Sequence, residues 1–355
     1  MKAHVERQMT GEGIALLQPL SWLYQGGLAI ARARRAGKPA NARPRVVSVG
    51  NVTVGGSGKT PMALWLVARA LAAGKSVAYA SRGFAGAAGR GPAVTWVPCE
   101  RAGAPPSFAG LRVVARSADL AETVGDEAAM VARRAPGANM LVAGDKRHAI
   151  AAAAAMAIDV VVVDDAFQTF GLARHVDVVM LDAQRPFGNG RLLPAGPLRE
   201  APSALARADV VVFNGASDRA AIAQAREDIG RWIRPEQRAY GLRRGITLLA
   251  ATPAAREQPR DAVLVAGIAR PDDFRESLLA MGVDASDVLT FRDHYRYRDL
   301  DARRIRERAG TRAIVTTEKD WVKLARFDWE GTPLWVARLD VELVGGNDVD
   351  AWLLP

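Results

Sequence analysis

The feature that most constrains this chain is a glycine-rich hexapeptide, Gly55-Gly56-Ser57-Gly58-Lys59-Thr60, set between an apolar run and a helical stretch. Arg45–Val52 reads RVVSVGNV, a continuous apolar strand. Pro61–Gly74 reads PMALWLVARALAAG, a helix with proline in its first turn and glycine at its stop. Strand, glycine loop and helix in that order make a cradle for phosphate, because backbone N–H groups can wrap the oxygens where no Cβ intrudes. A lysine must reach the β/γ-phosphates and a hydroxyl must hold Mg²⁺, and Lys59 and Thr60 fit those roles. The full pattern puts glycine at position 53, where this chain has Thr53. The nucleotide-binding loop is taken as Thr53, Val54, Gly55, Gly56, Ser57, Gly58, Lys59 and Thr60. A ligand-free glycine turn is the plainer alternative, and the strand–loop–helix setting argues against it.

Further apolar runs occur at Ser76–Gly83, Met140–Gly144, Ile158–Asp165, Val176–Ala183 and Ala208–Gly215, with helical stretches such as Ala149–Ala157 between them. Runs without a polar face belong in a parallel sheet covered on both sides. A polar helical stretch, Ala216–Arg234, then gives way to a less regular one ending near Pro259. A second α/β pattern covers Asp261–Gly282, Thr311–Asp320 and Pro333–Leu343. The expected fold is α/β, a P-loop NTPase-type doubly wound, mostly parallel sheet with a second, smaller α/β domain. The expected division is 1–40 for an N-terminal membrane-interface helix, 41–225 for the nucleotide-binding domain and 226–355 for the smaller domain.

Charge and the N-terminus bear on partners. Forty-eight Lys and Arg against 38 Asp and Glu give a net charge of +10, which attracts something anionic. One cysteine, Cys99, excludes a disulfide framework or a thiolate-rich metal cluster. Ile14–Ile30 reads IALLQPLSWLYQGGLAI, shorter than the roughly 20 apolar residues of a spanning helix and interrupted by Gln18, Pro19, Ser21 and Gln25. Glu6 and Glu12 argue against a secretory signal. Trp22 and Tyr24 precede Arg32, Arg34, Arg35, Lys38, Arg43 and Arg45, the order of an interfacial helix on an anionic bilayer. A helix packed on its own domain is the alternative.

The second chemical signal is Val160-Val161-Val162-Val163-Asp164-Asp165, a buried strand ending in two carboxylates, as phosphate-loop folds use near Mg²⁺. The wider text adds SVGNVTVGGSGKTP (Ser48–Pro61), SRGF (Ser81–Phe84), GDE (Gly125–Glu127), DDAFQ (Asp164–Gln168), FGNGRLLPAGPLRE (Phe187–Glu200), DH (Asp293–His294) and TEKD (Thr317–Asp320), in that order. This ordered set resembles the tetraacyldisaccharide 4′-kinase family, which phosphorylates the lipid A precursor of Gram-negative bacteria. The resemblance covers most of the chain.

That resemblance implies transfer of the γ-phosphate of ATP, with Mg²⁺, to the 4′-hydroxyl of tetraacyldisaccharide 1-phosphate at the cytoplasmic face of the inner membrane. Asp126 would accept the hydroxyl proton, His294 would orient it, and Lys59 would neutralise the transferred group. Thr60, Asp165 and Glu200 would hold Mg²⁺, while Arg82, Gln168 and Arg199 would contact substrate or phosphate. Closure of the smaller domain would bring His294 towards Asp126. The chain departs from the family's DDGFQH in Ala166 and Thr169, and carries Phe84 where tyrosine is common. Lys59, Thr60, Asp126 and His294 are untouched by these changes.

Two rivals stand beside this reading. An ATPase of the chromosome-partitioning or metal-chaperone type carries GGxGKT after a lysine, where this chain has Val54. A nucleic-acid binder would explain the charge, but the arginines are scattered and few aromatics are interleaved with them, so no nucleic-acid partner is expected.

Overall fold

A computed structural model describes residues 17–33, 37, 43–83, 86–88, 93–103, 107–117, 119–268, 270–329 and 331–355. Glu6, Glu12, Arg34, Arg35, Lys38 and Phe84 lie outside the described residues.

The strands form one sheet in the order β11-β10-β12-β13-β9-β8-β7-β1-β6-β2-β5-β3-β4. Its first half comprises β1 (Arg45–Asn51), β2 (Val77–Ser81), β3 (Val94–Val97), β4 (Leu111–Val113), β5 (Asn139–Val142), β6 (Val160–Asp164), β7 (Val176–Asp182) and β8 (Val210–Asn214). Here β1 pairs in parallel with β6 and β7, while β3 runs antiparallel to β5. Alternate residues of the valine runs serve opposite faces. Val160 and Val162 pack under helix α2 (Lys59–Ala72), whereas Val161 and Val163 pack with Ala149 and Ala152 of α5 (Lys146–Ala155). Burial on both faces removes the alternation of a half-exposed strand, so the sequence reads as unbroken valine.

The second half holds β10 (Asp261–Ala266), β11 (Asp284–Thr290) and β12 (Ala313–Thr317), with helices α7 (Pro271–Ala280), α8 (Asp299–Ala309) and α9 (Glu318–Leu324). Two long strands join the halves: β9 (Arg238–Ala250), parallel to β8, and β13 (Leu334–Val344), antiparallel to β9 and parallel to β12. The stretch read as irregular up to Pro259 therefore contains a 13-residue strand, the longest of the sheet. Its RRGITLLA segment is largely exposed, so it lacks the continuous apolar run that marks the buried strands.

The last helix, α10 (Val349–Leu353), returns to the first half, where Val349, Trp352 and Leu353 join the core beneath α2. At the other end α1 (Gln18–Ala33) lies against the segment before Glu200. Ser21 donates to the Leu192 carbonyl at 3.1 Å and Tyr24 to the Arg199 carbonyl at 3.0 Å. Among the described residues no helix is long and apolar enough to cross a membrane.

Candidate active site

The glycine loop leaves β1 at Asn51, whose side-chain amide donates to Ser57 Oγ at 2.8 Å and also to the Thr53 carbonyl. Gly58 caps α2 at φ 83°, a conformation that side-chain-bearing residues rarely adopt. A Cβ there would also stand 3.2 Å from the Asn214 side chain. Thr53 bridges to Leu198, and the Val54 N–H is donated to the Pro197 carbonyl at 2.8 Å. That pair is thus stitched to the neighbouring segment, and of the loop only Gly55 through Thr60 line the cleft, followed by Pro61.

Below the loop, Thr60 Oγ1 and the Tyr79 hydroxyl both donate to Asp164 Oδ2, at 2.9 and 2.7 Å. Asp164 was legible as one of a carboxylate pair, but its grip on the loop hydroxyl comes from the β1–β6 register, which sets Val49 beside it. Asp165, at φ 49°, turns outward, with Arg199 at 2.8 Å and Lys59 at 3.8 Å. Burial would raise its carboxyl, but Lys59, Arg199 and Lys146 overcome that and hold it below the usual range. Burial pushes Lys59 down, against the attraction of Asp165. Lys146, which sequence reasoning missed, lines the same cleft, donates to the Asp165 carbonyl and is pushed down by burial to about 8. Its signal was the AGDK sequence leaving β5, a charged group at the mouth of a buried strand. Ala166 is wholly buried with Val161, Val163 and Leu172, so its methyl does not line the cleft.

Gln168 and Glu200 sit elsewhere than expected. Glu200 is completely buried, and both of its oxygens are held by the Arg207 guanidinium. Gln168 donates to Glu200 Oε1 at 3.0 Å and to the Asn51 carbonyl at 2.8 Å. Arg207 also stacks 3.7 Å over the Phe167 ring. The network braces the end of β1 from behind, and neither Gln168 nor Glu200 lines the cleft. Glu200 therefore sits behind the loop, paired with Arg207, and not in the cleft with Thr60 and Asp165 as the Mg²⁺-shell expectation had it. Arg82 and Arg199 do line the cleft.

The GDE and DH motifs, 168 residues apart, meet. Gly125 at φ 87° opens helix α4 (Asp126–Arg134), and His294, itself at φ 59°, approaches from the second half. His294 Nδ1 lies 3.0 and 2.9 Å from the two Asp126 oxygens. The pair is already formed, so it needs no further closure. Lys323 at 3.5 Å and Lys319 at 3.9 Å add positive charge to Asp126, which is 4% exposed. Burial favours the neutral acid, yet the His294 hydrogen bond and these lysines hold Asp126 below the ordinary range. Next to it Glu127 is pushed up by burial and by the Asp164 charge. A 690 Å³ cleft runs between the halves, with the glycine loop, Glu127 and Lys146 on one wall and Arg244 and Lys319 on the other. Asp126 itself faces a smaller 40 Å³ cavity adjoining His294. Among the described residues no cluster of three or more His, Cys, Asp or Glu is arranged to hold a metal without help.

Comparison with known proteins accords with this geometry. The family model described as Tetraacyldisaccharide-1-P 4′-kinase matches residues 14–355. A tetraacyldisaccharide 4′-kinase of Anaeromyxobacter sp. (strain Fw109-5) is 41% identical over 342 residues, spanning 92% of this chain and 84% of that protein. One from Geobacter sulfurreducens is 35% identical, spanning 98% and 93%. Among solved structures, the "apo" form LpxK of Aquifex aeolicus in complex with ATP matches with a TM-score of 0.69 at 23% identity, covering 96% of this chain and 98% of that one. The last of these is a likeness of fold.

Proposed function

Because this chain belongs to the tetraacyldisaccharide 4′-kinase family, we propose that it transfers the γ-phosphate of ATP to the 4′-hydroxyl of tetraacyldisaccharide 1-phosphate, the disaccharide precursor of lipid A, with Asp126 taking the hydroxyl proton. The observation that carries the reading is the meeting of Asp126 and His294 beside the phosphate cleft. Phosphoryl transfer asks little covalent chemistry of a protein; it asks for an aligned acceptor, a base in reach and cations for the spreading charge.

In this reading Gly55–Thr60 wrap the β/γ-phosphates, and Lys59, Arg82 and Arg199 meet their charge from the cleft walls. Thr60, Asp164 and Asp165 offer a hydroxyl and two carboxylates, the hard oxygen donors that suit Mg²⁺. When bound there, the ion would neutralise charge on the β/γ-phosphates. Asp126, kept ionised by His294 and two lysines, accepts the proton of the sugar hydroxyl as it attacks. We take 41–225 as the nucleotide-binding half and 226–355 as the smaller half that supplies His294, with α10 packing back.

Helix α1 supports a surface role. One side is fastened by Ser21 and Tyr24, while Leu20, Trp22, Leu23 and Ile30 are 50–75% exposed. An exposed apolar row on a basic protein fits the interfacial layer of an anionic bilayer, the cytoplasmic face of the inner membrane.

The test is transfer of label from γ-³²P-ATP to purified tetraacyldisaccharide 1-phosphate in detergent micelles. A labelled bisphosphorylated lipid, absent with Lys59→Ala, is expected. Lys59-dependent ATP hydrolysis without lipid labelling would overturn the acceptor and favour a P-loop ATPase.

A further inference from the structure

Lys319, in the TEKD segment, belongs to neither the phosphate loop nor the base, yet it touches the surroundings of both. It lines the phosphate cleft opposite Lys59 and reaches the Asp126–His294 pair from the second half. Its ammonium is anchored 2.9 Å from Asp293 Oδ1 and lies 3.4 Å from His294 Nε2 and 3.9 Å from Asp126 Oδ2.

These contacts decide where the imidazole proton sits. An ionised carboxylate only accepts hydrogen bonds, so the His294 nitrogen facing Asp126, Nδ1, must carry hydrogen. An ammonium only donates, so the nitrogen facing Lys319, Nε2, must offer its lone pair. The neutral Nδ1–H tautomer alone satisfies these two; the Asp293 carboxylate, 3.9 Å from Nε2, stands beyond hydrogen-bond distance and is engaged by the Lys319 ammonium. An imidazolium would set a second positive charge against Lys319, and the opposite tautomer would turn a lone pair towards Asp126. Charged groups face the pair from every side: Asp126 and Glu127 on α4, Asp293 and Arg296 beside the histidine, and Lys319, Asp320 and Lys323 on α9.

We propose that Lys319 is a positioning residue for the transfer: by donating to His294 Nε2 while anchored on Asp293, it fixes the Nδ1–H tautomer that orients Asp126 as base. His294 then serves as a neutral donor that holds the carboxylate in place, and the proton of the acceptor hydroxyl goes to Asp126. The arrangement exists only when the two halves meet, which ties a competent base to a formed cleft.

The experiment uses the full chain in detergent, labelled with ¹⁵N-histidine, His294→Gln supplying the assignment. In the wild type His294 should show a protonated Nδ1 and an unprotonated Nε2. Lys319→Met should lose that signature and lower kcat by about 100-fold, with the KM for ATP within about threefold of wild type. Lys319→Arg should restore most of both. If Lys319→Met does not fold, Asp293→Asn, which frees the anchor at a partly exposed site, should move both readouts in the same direction. Unchanged turnover overturns the proposal. So does a fall in turnover with an unaltered tautomer, or a loss confined to the KM for ATP, since either makes Lys319 a structural or phosphate-binding residue. The turnover arm rests on the kinase reading, while the tautomer arm needs no substrate. A wild type that transfers nothing yet shows a Lys319-dependent tautomer would defeat the kinase reading and with it the role in transfer, leaving only the control of the His294 tautomer by Lys319.

Discussion

The placement of Glu200 makes a quantitative prediction that separates two roles for one carboxylate. Its side chain is 0% exposed, and its partner Arg207 is 11% exposed. Replacing Arg207 with leucine leaves a buried carboxylate without its counter-charge, a loss of about 3–5 kcal/mol. With an unfolding entropy of ~2.1 cal/mol/K per residue, a chain of 355 residues changes its Tm by roughly 4–7 °C for that loss. Glu200→Gln, which keeps the shape but strands the guanidinium, should lower Tm by a similar amount. The double variant should recover part of it, because neither buried charge then lacks a partner. Thermal unfolding by circular dichroism gives the cycle, and the Mg²⁺ concentration for half-maximal kinase activity is measured on the same proteins. A brace behind β1 predicts lower Tm and an unchanged Mg²⁺ requirement. If Glu200→Gln instead keeps its Tm and raises the Mg²⁺ requirement about 10-fold or more, Glu200 is a metal ligand and the reasoning fails.

Thr60→Val removes the 2.9 Å hydrogen bond to Asp164 with little change in volume, and should cut kcat/KM for ATP by about 100-fold while Tm moves by less than about 2 °C. Lys146 offers a pH test: burial lowers it to about 8, so the free enzyme loses a cleft cation as pH rises through that value, and kcat/KM for ATP should fall there. Native-state stability should run the other way, because between about pH 8 and the ordinary lysine value the folded chain binds fewer protons than the unfolded one. Lys146→Arg should push the activity limb upward, and an unmoved limb would exclude Lys146 as its source. Trp22→Ser with Leu23→Ser changes side chains 64% and 75% exposed, so co-sedimentation with anionic vesicles should drop at least about tenfold while Tm is unaltered. Undiminished vesicle binding would remove α1 from the membrane contact.

Much of the site was legible because it is local. Gly55–Thr60, the strand before it and the helix after it are contiguous, so spacing alone defined a phosphate cradle. The GDE and DH motifs were legible as candidates by resemblance, and no local rule says that residues 168 apart should meet. Lys319 stood inside the quoted TEKD motif without a role, and Lys146 was passed over, because a lysine whose partners lie far along the chain reads as a solvated side chain. The long strand β9 was passed over because its exposed reach between the halves lacks the apolar signature of its neighbours.

The sequence by itself determined the features that short-range chemistry dictates: parallel strands from two-faced valine runs, a glycine loop free to wrap phosphate, and acidic strand ends beside it. Only the tertiary structure decided which carboxylates remain available. Asp164 ends β6 and Asp165 follows it, yet the β1–β6 register turns one to Thr60 and a positive φ turns the other to Arg199 and Lys59. Glu200, adjacent in sequence to Arg199, points the opposite way, into an arginine that consumes its charge. A carboxylate's role is set by its counter-charge and by its access to solvent, and in a sheet built from distant segments both come from packing.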